Sequence, residues 1–474
     1  LGDIIEVRLD DLKGELPLEP LQNLIQVARP VILTLRSRIE GGGFLGGDLE
    51  LMRHLSKLAA LKPAYLDVER RLPTEWIEKL ARAHPEVTLI LSSHAGKNAR
   101  EGQALYQPLE ARALYKISYQ ASSATEALEG LIWSREIAPK PIVIPMGERG
   151  AFARILAPLF QLPMTYASLS DKEQTAPGQM PAAILRERYH YHQLNRATAL
   201  FGLIGDPVSK SISDVTHNRL LREVADACYV KMDVTPDELP AFLPAASRAG
   251  FQGMSVTTPL KEAIVPLLDE IDEEATAIGA VNTLAFKEGK IIGYNTDGRG
   301  ALRAIEKKVA TGGAVALIGS GGAAKAIAYA LVQAGYQVTI FSRDLKRAEE
   351  IATRLVCQGQ ELSSLQKSFY DLLINCTPLS LPIEPKEIRP GSICMDIQVQ
   401  PKETLFLKAA EDRGCDLIYG YEMFSEQAAL QFDLWFNGQF DLDLMREGLL
   451  KQSELFLSYL EPVTEEIGKM PPLI

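Results

Sequence analysis

The stretch YHYHQLNRATALFGLIGDP, Tyr189 to Pro207, decides how the rest of the chain is read. Its polar part, His190–Gln193–Asn195–Arg196, has no apolar period and marks a short linker. Ala199 to Ile204 then opens a new apolar strand. To the left run repeated strand-then-helix units that end in TAPGQ and a last helix. To the right come a serine loop and, later, a glycine-rich loop. The reading is two separately built parts, 1–195 and 199–474, the second divided into 199–300, 301–425 and a returning C-terminal segment 426–474.

The bulk numbers fit that division. At about 100–200 residues per domain, 474 residues make two or three domains. With 46% hydrophobic and 23% charged residues, the chain can build ordinary soluble cores. A net charge of −11 argues against nucleic acid and anionic lipid as partners, yet a few local arginines could still bind a small anion. Cys228, Cys357, Cys376, Cys394 and Cys415 all lie in the right half without CxxC spacing, which suggests free thiols in a reducing compartment. No apolar run reaches about 18 residues and no signal peptide is visible, so a soluble chain is expected. The compartment would be the cytoplasm, or the plastid stroma if a leader has been removed ahead of Leu1.

In the left half, DIIEVRLD, PVILTLRS, AYLDVER, VTLILSSH, LYKISY, PIVIPMG and PMTYASL alternate with helical patterns such as LELMRHLSKLAAL and PTEWIEKLARAH. Strands alternating with helices indicate an α/β fold of parallel βαβ units. Seven strands are one short of a (β/α)₈ TIM-type barrel. The expectation is a barrel whose first βα unit is missing from this chain, with an open seven-stranded sheet as the plainer alternative. Polar residues favour the barrel, where catalytic groups gather at the carboxyl ends of strands. Glu6 and Arg8 share a face late in the first run, and Arg36, Glu69, His94, Lys116 and Met146 hold comparable late positions. Buried charges are costly unless paired, so ionisable groups on successive strand ends make a site. Lys116 stands inside LYKISY, where a lysine has no solvation reason to be. Near Arg8, Arg36 or Arg154 its ammonium would be disfavoured, freeing an amine nucleophile toward a ketone. His94 closes VTLILSSH and is suited to proton transfer beside such a lysine.

In order, EVRLD, LTLRSRIEGG, SSH, the strand lysine, MGERGAFAR and TAPGQ resemble type I 3-dehydroquinate dehydratase over the whole left half. The resemblance implies dehydration of 3-dehydroquinate through a lysine imine. By position it implies Lys116 as the imine lysine, His94 as general acid and base, and Glu40 as the carboxylate orienting that histidine. Arg154 would bind the substrate carboxylate, with Glu6, Arg8, Arg36, Thr175 and Gln179 lining the ring hydroxyls. Thr175 stands where serine is usual and Tyr166 where phenylalanine is common. No metal is implied.

The right half begins with FGLIGDPVSKSISDVTHN, whose loop serines Ser211 and Ser213 would ordinarily be helix caps. In GMSVTTPLKEAI, Lys261 follows a Thr-Pro boundary. AVNTLAF and IIGYNTDGRG add two strand-ending polar tips, Asn282-Thr283 and Asn295-Thr296-Asp297, and together these suggest a cleft for a polyol. AVALIGSGGAAKAIAYAL then presents Gly319, Gly321, Gly322 and Ala323 between a strand and a small-residue helix, as a dinucleotide fingerprint requires.

SxS, SVTTPLK, AVNT, NTDG, GSGGAAKA, INCTP and GYEMFSEQAALQF together resemble shikimate dehydrogenase. The resemblance implies NADPH-dependent reduction of 3-dehydroshikimate to shikimate in a two-lobed α/β protein with a Rossmann domain. Lys261 and Asp297 would handle the proton, and Ser211, Ser213, Thr257, Asn282 and Gln427 would bind substrate. Gly319, Gly321, Gly322, Ala323, Ser342, Arg343, Arg347, Asn375, Thr377, Gly420 and Met423 would hold NADP(H). Ser255, Lys210, Asp214 and Val399 depart from the family pattern. Arg343 and Arg347 favour the 2′-phosphate of NADP, while Asp344 between them favours NAD unless its carboxylate turns away. An NAD-preferring quinate or shikimate dehydrogenase and a non-catalytic ligand-sensing relative remain as alternatives. Retention of Lys116, His94, Lys261 and Asp297 argues against the second. Oligomeric state is not legible.

Overall fold

The computed structural model of the protein describes residues 2–12, 15–27, 30–109 and 113–460, so the predicted C-terminal segment lies outside the described residues from 461 onward. The chain divides into two units, Leu1–Thr198 with Pro240–Gly250, and Ala199–Leu239 with Phe251–Ile474.

In the first unit, six parallel strands pair in chain order: β1 (Ile5–Arg8), β2 (Val31–Thr34), β3 (Tyr65–Glu69), β4 (Thr88–Gly96), β5 (Ala113–Gln120) and β6 (Ile142–Met146). Successive side chains on a strand point to opposite faces. Leu33, Leu66, Val68, Leu89, Leu91 and Tyr115 pack outward with helix residues such as Leu51, Leu55, Leu58, Ile77 and Leu80. Alternate residues Ile32, Tyr65, Ile90, Leu114, Ile142 and Ile144 form a second, inner cluster that also takes in Ile4. Side chains from both ends of the sheet meet in that cluster, so the sheet curls around it.

The seventh run, PMTYASL, is not a strand. It makes only an isolated bridge, Ser168 to Pro181, although Met164 and Tyr166 pack into the inner cluster as a strand's alternate residues would. Pro163, inside the run, has no amide to donate to a ladder. Apolar alternation was therefore right about burial and wrong about hydrogen bonding.

The second unit contains two six-stranded sheets. The first has order β10-β12-β11-β9-β7-β8, built from β7 (Ala199–Gly205), β8 (Ala227–Asp233), β9 (Phe251–Val256), β10 (Glu270–Ile271), β11 (Thr283–Lys287) and β12 (Lys290–Tyr294). Here β7 pairs parallel with β8 and β9, whereas β11 runs antiparallel to β9 and β12. The second sheet, all parallel, has order β15-β14-β13-β16-β17-β18: β13 (Ala314–Ile318), β14 (Gln337–Ser342), β15 (Gln358–Glu361), β16 (Leu372–Asn375), β17 (Ile393–Asp396) and β18 (Asp416–Ile418). Its order reverses between β13 and β16, the crevice where open α/β sheets bind dinucleotides.

Two helices belong to both lobes. Ala301, Ala304 and Ile305 of helix Asp297–Glu306 pack in the core of the dinucleotide sheet. Helix Gly420–Trp435 gives Met423 to that core and Ala428, Phe432 and Trp435 to the core of the other sheet. The lobe borders read at 300/301 and 425/426 thus fall inside helices that both lobes share.

Candidate active sites

The inward row of the first unit is apolar at the amino ends of its strands and polar at the carboxyl ends. Register sets Ser92 beside Lys116 and Glu69 beside Ser92. Lys116, buried at 6% exposure, donates from Nζ to Asp67 Oδ2 at 3.2 Å, and its ammonium lies 4.3 Å from the centre of the Tyr166 ring. The same carboxylate accepts from Arg36 Nη2 at 2.7 Å and from Ser92 Oγ at 2.5 Å. Burial alone would raise the Asp67 carboxyl, but Arg36 and Lys116, with the Ser92 hydrogen bond, outweigh it and hold Asp67 well below the usual carboxylate range.

The immediate neighbour of Lys116 is therefore a carboxylate, which it shares with Arg36, one of the arginines expected beside it. Asp67 lies two residues before Glu69 on the same face of β3, so the alternation that singled out Glu69 could have found it. Glu69 itself is spent on the Ser37 amide and hydroxyl, at 2.7 and 2.8 Å, and on Arg71 at 2.8 Å.

Around this pair stand most of the other predicted groups. Glu40 accepts the backbone N–H of His94, and its Oε2 lies 3.4 Å from Nδ1 of the same residue. Burial, then Arg36 and Lys116, push the His94 imidazole well below its ordinary range, so it rests neutral. Burial also raises the Glu40 carboxyl. Thr34 Oγ1 donates to Glu6 at 2.8 Å. Arg8 is turned onto Asp10 in a two-pronged contact of 2.9 and 2.8 Å. Gln179 accepts from both the amide and the hydroxyl of Thr175, at 2.8 and 3.1 Å.

Arg154 is 2% exposed, yet among the described residues its guanidinium donates only to the carbonyls of Gly178 and Tyr166, and its Nη2 has no hydrogen-bond partner. Burial lowers this guanidinium to about 10. A buried, incompletely bonded guanidinium is suited to receive a carboxylate.

In the second unit, Lys261 Nζ and Asp297 Oδ2 are 2.5 Å apart. Asp297 begins its helix directly after β12, and its other oxygen accepts from Asn282 Nδ2 at 2.9 Å. Asn282 precedes β11 and does not end a strand as predicted. Because β11 runs antiparallel, its first residue comes to the same edge as the carboxyl end of β9. Gln427 reaches this cluster from the Gly420 helix, with Oε1 at 3.2 Å from Asn282 Nδ2 and 3.3 Å from Thr296 Oγ1.

Of the two serines expected as caps, Ser211 accepts the Ser213 amide at the start of helix Ser213–Val224 at 3.3 Å. Their hydroxyls face each other at 2.8 Å, while Lys231, pairing with Asp214 at 3.1 Å, donates to the Ser211 carbonyl at 2.9 Å. Ile212, between the serines, packs with Val399 and Tyr421. Thr257 follows β9, its amide bonded to the Ile204 carbonyl at 2.9 Å. Ser255 belongs to a buried chain that sequence reading missed: Tyr229 donates to it, and it donates to Gln431, at 2.8 Å each.

The glycine loop joins β13 to helix Gly322–Gln333, and Gly319 holds φ +123°, open to glycine and strained for other residues. A Cβ on Gly321 would project into open space at the mouth of this helix, and one on Gly322 would come within 3.2 Å of Lys261 Cβ. The loop is thus bare where a pyrophosphate would lie, and it adjoins the Lys261–Asp297 pair. Ser342 ends β14 with its hydroxyl 3.3 Å from that of Ser320. Asp344 turns its carboxylate back to cap the next helix, accepting the Arg347 amide at 3.1 Å. Arg343 is exposed. These residues fit a dinucleotide with a ribose phosphate.

The remaining predicted cofactor residues shape the crevice from below. Ala323 lies in the first turn of helix Gly322–Gln333. Asn375, fully buried, accepts from Thr377 and donates to Leu379 and Asp396. A Cβ on Gly420 would strike the Gln398 carbonyl, and Met423 is in the core.

Three family descriptions match along the chain: type I 3-dehydroquinase over residues 1–196, the shikimate dehydrogenase substrate binding domain over 203–284, and NADP oxidoreductase, coenzyme F420-dependent, over 314–378. The chain is 39% identical to the shikimate biosynthesis protein AroDE of Chlamydia pneumoniae, across 92% of this chain and 90% of that one. It is 32% identical to the chloroplastic bifunctional 3-dehydroquinate dehydratase/shikimate dehydrogenase of Arabidopsis thaliana, across 92% and 77%. Among solved structures, a shikimate dehydrogenase in complex with NADP+ matches with TM-score 0.50 and 32% identity, covering 55% of this chain and 97% of that one. The Thermus thermophilus enzyme in complex with NADP(H) and shikimate matches with TM-score 0.50 and 31% identity, covering 54% and 99%.

Proposed function

From the premise that the chain belongs to the family of bifunctional 3-dehydroquinate dehydratase/shikimate dehydrogenase proteins, we propose how its own residues divide the work. The chain is a lyase and an NADP-dependent oxidoreductase of the shikimate pathway, and neither the NAD-preferring nor the non-catalytic alternative is favoured.

In the first unit, Lys116 attacks the ketone of 3-dehydroquinate and loses water to form an imine. The imine draws electrons from the adjacent C–H bond, and His94, neutral at rest, removes that proton. His94 then returns a proton to the departing hydroxyl, and hydrolysis of the imine frees Lys116 and 3-dehydroshikimate. Asp67 holds the lysine and stabilises the positive imine, and Glu40 holds His94. Arg154 takes the substrate carboxylate, and Glu6, Arg8, Arg36, Thr175 and Gln179 surround the hydroxyls.

In the second unit, Ser211, Ser213, Thr257, Asn282 and Gln427 hold 3-dehydroshikimate. NADPH, when bound, supplies the reducing equivalent to its carbonyl carbon. Lys261 donates a proton to the forming alkoxide, and Asp297 orients the ammonium and relays the proton. Gly319, Gly321, Gly322 and Ala323 would lie against the pyrophosphate and Ser342, Arg343 and Arg347 against the adenosine ribose. Asn375, Thr377, Gly420 and Met423 support that site through the backbone they position.

The observation that carries this reading is Lys116, a buried lysine in the middle of β5, held by a buried carboxylate. Its test is borohydride with dehydroquinate, expected to trap a covalent adduct on Lys116. Lys116→Ala should abolish dehydration and leave shikimate oxidation intact. An adduct on another lysine would overturn the assignment. For location, the reading is cytoplasm or plastid stroma, the latter supported by the chloroplastic relative. Among the described residues, no helix is long and apolar enough to cross a membrane.

A further inference from the structure

Glu262 follows the catalytic lysine, and its carboxylate does something the reaction does not require. In the short helix Leu260–Ala263, Lys261 turns to Asp297 while Glu262 crosses to the dinucleotide lobe. There it accepts from Lys325 Nζ at 2.8 Å, on the helix that follows the glycine loop. It also meets Arg347 Nη2 at 3.2 and 3.5 Å, in the first turn of helix Leu345–Leu355. The three line one cavity of about 580 Å³ with Asp344, Lys346 and Arg354.

Arg347 is one of the two guanidiniums read as binding the 2′-phosphate. Asp344, placed to oppose a phosphate, is turned away onto the backbone of its helix. The negative charge on Arg347 comes from the other lobe. A ribose 2′-phosphate carries nearly two charges at neutral pH and three acceptor oxygens. A single carboxylate cannot hold a guanidinium against it.

We propose that Glu262 is the exchangeable counter-ion of Arg347: the 2′-phosphate displaces it, Lys325 retains it, and Glu262 thereby sets how strongly the protein prefers a phosphorylated adenosine. This rests on the reading of Arg347 as a phosphate ligand. The exchange removes one of two ion pairs joining the lobes at the residue beside Lys261, so phosphate recognition reaches the catalytic lysine's own helix.

The test is calorimetric titration of the full chain with adenosine 2′,5′-diphosphate and with 5′-AMP. The ion pair is partly exposed, with Glu262 at 37% and Arg347 at 46%, so the effect is modest. Glu262→Gln should tighten adenosine 2′,5′-diphosphate about threefold to fivefold and leave 5′-AMP unchanged, which also reports that the adenine site is intact. The gain should vanish in an Arg347→Ala background. Unchanged or weaker diphosphate binding in Glu262→Gln, or an equal gain for 5′-AMP, overturns the exchange. If Arg347→Ala alone leaves diphosphate binding untouched, the phosphate assignment falls, and the exchange with it.

Discussion

Lys261 and Asp297 should behave as one catalytic unit, and the size of that coupling follows from their geometry. Their charged atoms are 2.5 Å apart, with the side chains 15% and 7% exposed, and a second hydrogen bond from Asn282 at 2.9 Å fixes the carboxylate. If Lys261 is lost, Asp297 has no proton to relay. If Asp297 becomes asparagine, the ammonium loses its counter-charge and its aim. Each single substitution, Lys261→Ala or Asp297→Asn, should lower kcat for shikimate oxidation by about two orders of magnitude or more, the usual scale for general acid–base groups. Independent roles would multiply to about 10⁴. The double variant should instead lose little more than the worse single one, a coupling of about 2.7 kcal/mol from the missing hundredfold. The assay is cofactor reduction with saturating shikimate, and dehydroquinate dehydration by the same samples serves as an internal control for folding. Multiplicative losses, or a single variant that loses less than about tenfold, would refute the joint role.

The other predictions concern charge. Asp67 is held below its unfolded value, so its stabilisation is present above about pH 4 and is lost as pH falls from there through its depressed folded value. Asp67→Asn, which breaks a buried pair, should cost about 3–5 kcal/mol in denaturant unfolding at pH 7, with the gap to wild type narrowing toward acid; a gap independent of pH would contradict this. His94 is pushed well down by burial, Arg36 and Lys116, so dehydratase kcat/KM should stay flat through the ordinary histidine range near pH 6.5, where an exposed imidazole would show an acid limb. Arg343→Ala should reduce the preference for NADP over NAD by about tenfold, read as the ratio of kcat/KM values, the loss of one charge-assisted hydrogen bond. An unchanged ratio would assign the ribose to another residue.

Period-two patterning placed Glu6, Arg36, His94 and Lys116 on one inward face, because side-chain direction in a strand is a local property. The glycine loop, with a strand before and a small-residue helix after, was equally local, and the structure confirms its place between β13 and helix Gly322–Gln333. Other features depend on what lies opposite, and no local pattern encodes that. PMTYASL has a strand's alternation but only a bridge at Ser168, since a ladder depends on which backbone lies alongside. Ser211 looks like a cap and does accept the Ser213 amide, but its carbonyl is held by Lys231 from β8, which nothing local foretells. Asn282 reaches the site only because β11 runs antiparallel to β9, a choice of topology. Asp344 beside Arg343 leaves the cofactor ambiguous in sequence; in the structure one of its oxygens caps its own helix, and Arg347 is matched from the other lobe by Glu262. The identity of the partner beside Lys116 came from the same source: sequence shows a buried charge that must be neutralised, while only the curled sheet brings Asp67, forty-nine residues earlier, to within 3.2 Å of it.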